Sequence, residues 1–78
     1  MEDGRLYRGE FRDGVPCGVG RVLDPDTSAT VYVGDFRGGV RHGFGWELFK
    51  TEIYVGHWRD GERSGLGLLR SLRGPDAG

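Results

Sequence analysis

Few residues in this 78-residue chain have side chains suited to bond-making chemistry. They are Cys17, His42, His57 and a handful of serines. A nucleophilic site needs a Cys or Ser beside a His, with a third group to orient the base. Cys17 and His42 occupy equivalent places one repeat apart, but nothing in the sequence orients the pair, and solvated positions are expected for both. A metal site needs a second His or Cys at ligand spacing, and neither histidine has one. Three Gly-x-Gly pairs, at Gly18 and Gly20, Gly43 and Gly45, and Gly65 and Gly67, have the composition of a phosphate loop. Such loops lead from a strand into a helix, whereas these lie inside extended segments and recur. The reading is therefore of a chain with no catalytic, metal or cofactor site.

What those glycines belong to is a repeat. Tyr7, Gly9, Phe11, Gly14, Gly18 and Gly20 keep the spacing Y-x-G-x-[FW]-x-x-G-x-x-x-G-x-G. The same frame returns at Tyr32, Gly34, Phe36, Gly39, Gly43 and Gly45, and at Tyr54, Gly56, Trp58, Gly61, Gly65 and Gly67. The copies begin 25 and then 22 residues apart, and 12 of the 16 glycines fall on the frame. A fixed period of this length means stacked supersecondary units, none able to bury its apolar face alone.

The pattern resembles the MORN repeat (membrane occupation and recognition nexus), over Tyr7 to about Leu69. That resemblance implies β-hairpins added side by side into an elongated twisted sheet. It also implies an interaction or scaffold role, with members linked to phospholipid surfaces, cytoskeletal and ciliary assemblies, and self-association. The family usually carries charged or polar residues at the positions of Val33, Phe44, Val55 and Leu66, and this chain departs from that habit.

Composition bounds the rest. The chain makes one small domain, 1–78, with repeats at about 7–29, 32–51 and 54–70 and a flexible tail over 71–78. Eleven basic and twelve acidic residues leave a formal charge of −1. A nucleic-acid partner would call for a clearly basic face, so none is expected. One cysteine permits no internal disulfide and fits a reducing, cytoplasmic setting. No segment reads as a leader, and no run approaches the roughly 20 apolar residues of a membrane span.

Strand propensity agrees with the repeat. Thr30-Val31-Tyr32-Val33 and Glu52-Ile53-Tyr54-Val55 are β-branched and aromatic, and Asp13-Gly14, Gly38-Gly39 and Asp60-Gly61 are hairpin turns. The expected fold is all-β: a single-layer antiparallel meander of three hairpins, with strands at about 5–12, 18–23, 30–37, 43–49, 52–59 and 65–70. Alternation places the tyrosines, Phe11, Phe36, Trp58 and all the Gly-x-Gly residues on one face, where rings cover glycine backbone.

The opposite face is mixed in the first repeat, with Arg8, Glu10, Arg12 and Arg21. It turns apolar in the second and third. Val33, Phe44, Trp46, Val55, Leu66 and Leu68 are the expected partner-binding residues, because a sheet needs a second layer and a large apolar patch marks an interface. Charges on the first strand discourage edge pairing, whereas Leu66-Gly67-Leu68-Leu69 has no such protection. A protein partner or a second copy of the chain is the expected ligand. The alternative is weak contact with an anionic membrane surface through a basic ridge of Arg37, Arg41, His42, Arg59 and Arg63, each worth about 1 kcal/mol there.

Overall fold

A computed structural model describes residues 4–72, and they form one open sheet. Its strands are β1 (Leu6–Arg12), β2 (Val15–Leu23), β3 (Thr30–Arg37), β4 (Val40–Phe49), β5 (Glu52–Arg59) and β6 (Glu62–Ser71). They pair in sequence order, each antiparallel to the next. The all-β meander of three hairpins is thus the observed architecture.

Each hairpin turns on two residues. Asp13 and Gly14 have φ of 53° and 79°, Gly38 and Gly39 of 59° and 87°, and Asp60 and Gly61 of 50° and 88°. Two successive left-handed residues make the tight turn whose twist matches that of the flanking strands. The returning strands therefore start at Val15, Val40 and Glu62, three residues before their expected starts. Ser71 completes β6, and the Leu72 amide donates to the Thr51 carbonyl at 2.7 Å, so neither belongs to a tail. The remainder of the expected tail lies outside the described residues.

Starting early forces a bulge into each hairpin. Register runs Gly9↔Gly20 and then Phe11↔Pro16, so β2 spends four residues where β1 spends two. Gly34↔Gly45 followed by Phe36↔Arg41, and Gly56↔Gly67 followed by Trp58↔Arg63, repeat it. Gly18 and Gly43 sit in these bulges at φ of 87° and 101°. A Cβ on Gly18 would point at Glu10, and one on Gly43 at Asp35 Oδ2, 2.8 Å away. These two glycines, with Gly65 beside His57, therefore face away from the rings, correcting the expected shared face. The extra residues of the bulge break the two-residue alternation on which that expectation stood.

The remaining glycines form a continuous row. Gly9, Gly20, Gly34, Gly45, Gly56 and Gly67 lie opposite one another across all six strands. A Cβ on Gly34 would stand 2.5 Å from the Gly45 Cα and the Phe44 carbonyl, and one on Gly56 2.5 Å from the Gly67 Cα. The first obstacle is the partner strand's backbone, with the ring behind it. Tyr7, Tyr32 and Tyr54 lie across Gly20, Gly45 and Gly67. Each phenol reaches past the glycine and donates to a carbonyl three residues on, at Glu10 (2.7 Å), Asp35 (2.9 Å) and His57 (3.0 Å).

The core is this ring face. Val22, Tyr32, Phe36, Tyr54 and Trp58 are buried, with Tyr7 and Val31 packed against them. Val22 lies in register between Tyr7 and Tyr32 and is wholly buried. The rings make an edge-to-face chain, Phe11–Tyr7–Phe36–Tyr32–Trp58–Tyr54, with centroids 4.9–5.5 Å apart. Each such contact adds about 0.5–1.5 kcal/mol beyond the area it buries.

Gly34→Val and Gly56→Val are expected to lower the melting temperature sharply, costing about 1–3 kcal/mol of stability, although valine is the better strand former. Gly14→Asn, in an open turn that tolerates a left-handed asparagine, should cost less than about 1 kcal/mol. Thermal unfolding of the three variants gives the comparison, and equal melts would dismiss the backbone argument.

Candidate interaction face and its supporting clamp

The position held by Val22 in the first repeat is held by Glu47 in the second, again in register between two tyrosines, Tyr32 and Tyr54. A carboxylate on a ring face is costly unless paired. Arg41 Nη1 donates to Glu47 Oε2 at 2.7 Å, and Arg63 donates through Nε and Nη2 to Oε1 at 3.0 and 2.6 Å. Arg41 also stacks on Tyr32 and Trp58, 4.5 and 5.0 Å from the ring centres, and Arg63 on Tyr54 at 4.7 Å. The equivalent of Arg41 in the first repeat is Pro16, which faces Phe11 as Arg41 faces Phe36. A neutral Pro16 and Val22 pair thus becomes an ionic Arg41 and Glu47 pair one repeat later.

This clamp uses two of the five residues expected in a basic ridge. Arg41 and Arg63 lie in strands, turned onto the rings, with Glu47 between them. Arg37 and Arg59 are exposed beside the turns, and His42 is half-buried, its Nδ1 3.5 Å from the Asp60 amide. Sequence reasoning missed the clamp because it treated these segments as loops. The available signal was Glu47 itself, a carboxylate in register with tyrosine on both sides.

Carboxylates also close two of the bulges. Glu10 Oε1 accepts from the Val19 amide at 2.7 Å, and Asp35 Oδ2 from the Phe44 amide at 3.1 Å. Glu10 is therefore turned into its own hairpin and does not guard the β1 edge.

On the opposite face the register makes a row: Arg8, Arg21, Val33, Trp46, Val55 and Leu68, one from each strand. Trp46 lies between Val33 and Val55, and these three are half-buried by their neighbours. Phe44 meets His57 edge to face at 5.7 Å and keeps 54% of its surface exposed. Leu66 and Leu68 are 83% and 76% exposed. Phe44, Val55, Leu66 and Leu68 line one shallow depression with His57. The structure thus brings all six expected partner-binding residues onto one surface, with no second layer over it among the described residues. The row starts on two arginines directly opposite one another, Arg8 and Arg21.

Among the described residues no group of three or more His, Cys, Asp and Glu could hold a metal, and Cys17 is a half-buried free thiol. No helix there is long and apolar enough to cross a membrane.

The geometry is that of a hairpin-repeat sheet with one face closed by rings. The chain belongs to the MORN repeat family: the family's model matches it three times, over residues 7–28, 32–51 and 54–71. These repeats are generally protein or membrane interaction modules and are not catalytic. A search of curated proteins finds no match to this chain.

Two measurements probe the clamp and the rings. Glu47→Gln should destabilise the fold by about 1–3 kcal/mol, since it leaves the half-buried Arg41 guanidinium, and the more exposed Arg63, without their anion; a melt unchanged from the parent would show that the clamp contributes nothing. Burial pushes the Tyr32 phenol up to about 12, with Asp35 and Glu47 adding to the rise and Arg41 opposing it. The fold favours the neutral phenol, so its contribution is complete below the ordinary tyrosine value of about 10 and is lost as pH rises through about 12. The stability gap between parent and Tyr32→Phe should therefore narrow above pH 10, followed by denaturant titration at each pH. A gap that widens would contradict the assignment.

Proposed function

We propose that this protein is a non-enzymatic interaction module that holds a protein partner on the apolar face of its second and third repeats. The contact residues are Val33, Phe44, Trp46, Val55, Leu66 and Leu68. The observation that carries the proposal is the division of the sheet. One face is closed internally by rings over glycine, while on the other no described residue covers the apolar row or the exposed Phe44, Leu66 and Leu68 in and beside it. Covering them would contribute roughly 1.5–3 kcal/mol for each large side chain, and aromatics at the centre of a patch tend to dominate such contacts. Arg8 and Arg21 at the end of the row favour a partner that is acidic there. The partner is sought first inside the cell, among the cytoskeletal and ciliary assemblies linked to the family.

The membrane-surface reading is weaker, because Arg41 and Arg63 are occupied by Glu47. The exposed remainder, Arg37 and Arg59, would contribute only about 2 kcal/mol at an anionic surface.

Phe44→Glu should weaken partner retention at least tenfold while changing the melt by less than about 1 kcal/mol, since the ring is largely outside the fold. Val22→Glu, in the buried core, should instead unfold the chain. Affinity capture with parent and Phe44→Glu baits, scored by partners lost with the glutamate, reads the first effect. Equal retention by both baits would end the proposal. The parent protein should float weakly with anionic liposomes at physiological salt; strong, salt-sensitive flotation would favour the membrane reading instead.

A further inference from the structure

The two ends of the sheet are the two halves of one interface that the chain already makes internally. Where one hairpin meets the next, β2 pairs with β3 as Gly18↔Phe36, Val19↔Asp35, Gly20↔Gly34, Arg21↔Val33 and Val22↔Tyr32. β4 pairs with β5 in the same register, Gly43↔Trp58 through Glu47↔Tyr54. In both junctions the incoming Phe36 or Trp58 packs edge-on against the tyrosine of the preceding hairpin, at 4.9 and 5.3 Å. In both, the incoming turn glycine donates to the preceding strand, Gly39 to the Pro16 carbonyl and Gly61 to that of Arg41.

β6 repeats the receiving half of that junction. Gly65, Leu66, Gly67, Leu68 and Leu69 stand where Gly18 to Val22 stand in β2. Val22 is fully buried between two tyrosines, whereas Leu69 has only Tyr54 beside it and is 58% exposed. β1 repeats the incoming half. Phe11 stands where Phe36 and Trp58 stand, but it packs on Tyr7 of its own hairpin alone, with no tyrosine of an earlier hairpin among the described residues, and is 59% exposed. The charges on β1 do not oppose docking: Glu10 is turned inward onto Val19, and its counterpart Asp35 lies inside a formed junction. Arg12 corresponds to Arg37 and Arg59, both exposed beside formed turns.

We propose that β6 of one molecule receives β1 of a second copy, head to tail, in the register of the internal junctions. Gly67 then faces the copy's Gly9, Leu69 is enclosed between Tyr54 and the copy's Tyr7, and the copy's Phe11 packs edge-on against Tyr54. Arg63, already on Tyr54, takes the place that Arg41 has on Tyr32 and Trp58. The copy's Gly14 amide meets the Arg63 carbonyl. The contact is heterologous and repeats a junction that the chain makes twice within one open sheet, so each molecule keeps one free donor end and one free acceptor end and assembly runs on without closing. This contact lies on the edges and is independent of the apolar face proposed above.

The test uses analytical ultracentrifugation with every protein carrying Phe44→Glu, so that association through the apolar face is removed. The Phe44→Glu protein should show a mass-average above monomer that rises with concentration without a plateau. Adding Phe11→Ser, which deletes the incoming ring, or Leu69→Glu, which charges the receiving site, should each give a monomer. An equimolar mixture of the two should restore a dimer and nothing larger, because one supplies an intact β6 end and the other an intact β1 end. Circular dichroism melts confirm folding, and Leu69→Ser replaces Leu69→Glu if the glutamate unfolds the chain. A Phe44→Glu protein monomeric at hundreds of micromolar, a mixture that stays monomeric, or a Phe11→Ser variant that still assembles would each overturn the proposal.

Discussion

Six backbones pass one another with no side chain between them, along the row from Gly9 to Gly67. Everything else on the ring face depends on that bare row. A tyrosine can lie flat across a strand only where the strand has no Cβ, and only then can its hydroxyl reach a carbonyl beyond. With the tyrosines down, the Phe or Trp of the next hairpin meets them edge-on, and a buried core forms from one layer of sheet. Most sheets need a second layer to bury their apolar face. Here glycine, usually unfavourable in strands, lets the sheet supply its own cover.

The hairpins were legible because their signals are local. Turn dipeptides, β-branched runs and the spacing of the tyrosines each report on a few neighbouring residues. The bulges were not, since whether a strand restarts at Val15 or Gly18 depends on how the two-residue turn closes, and on Glu10 and Asp35 being able to cap the freed amides. The error propagated to Gly18, Gly43 and Gly65, whose face depends on counting residues through the bulge. It also hid the clamp: Arg41 and Arg63 looked like loop bases, yet they are strand residues aimed at Glu47. The shared face of Val33, Trp46, Val55 and Leu68 was legible because they lie beyond the bulges, where alternation is intact.

The two faces also differ in what fixes their composition. On the ring face each side chain answers to a partner within the chain, down to the replacement of Val22 and Pro16 by Glu47 and Arg41 as a pair. On the other face Val33, Trp46 and Val55 shelter one another and Phe44 meets His57, but Phe44 and Leu66 stay 54% and 83% exposed; a pleated strand would tolerate threonine or lysine at those two positions as well.

The clamp makes the two internal junctions unlike in kind. The first is held by Val22 between tyrosines, an apolar contact, and the second adds an ion pair shared between hairpins through Glu47. Apolar contacts weaken on cooling, whereas the desolvation penalty of an ion pair falls on heating. In a stack whose stability is a sum of neighbour couplings, warming therefore strengthens the second junction relative to the first, and on heating the first hairpin lets go before the third.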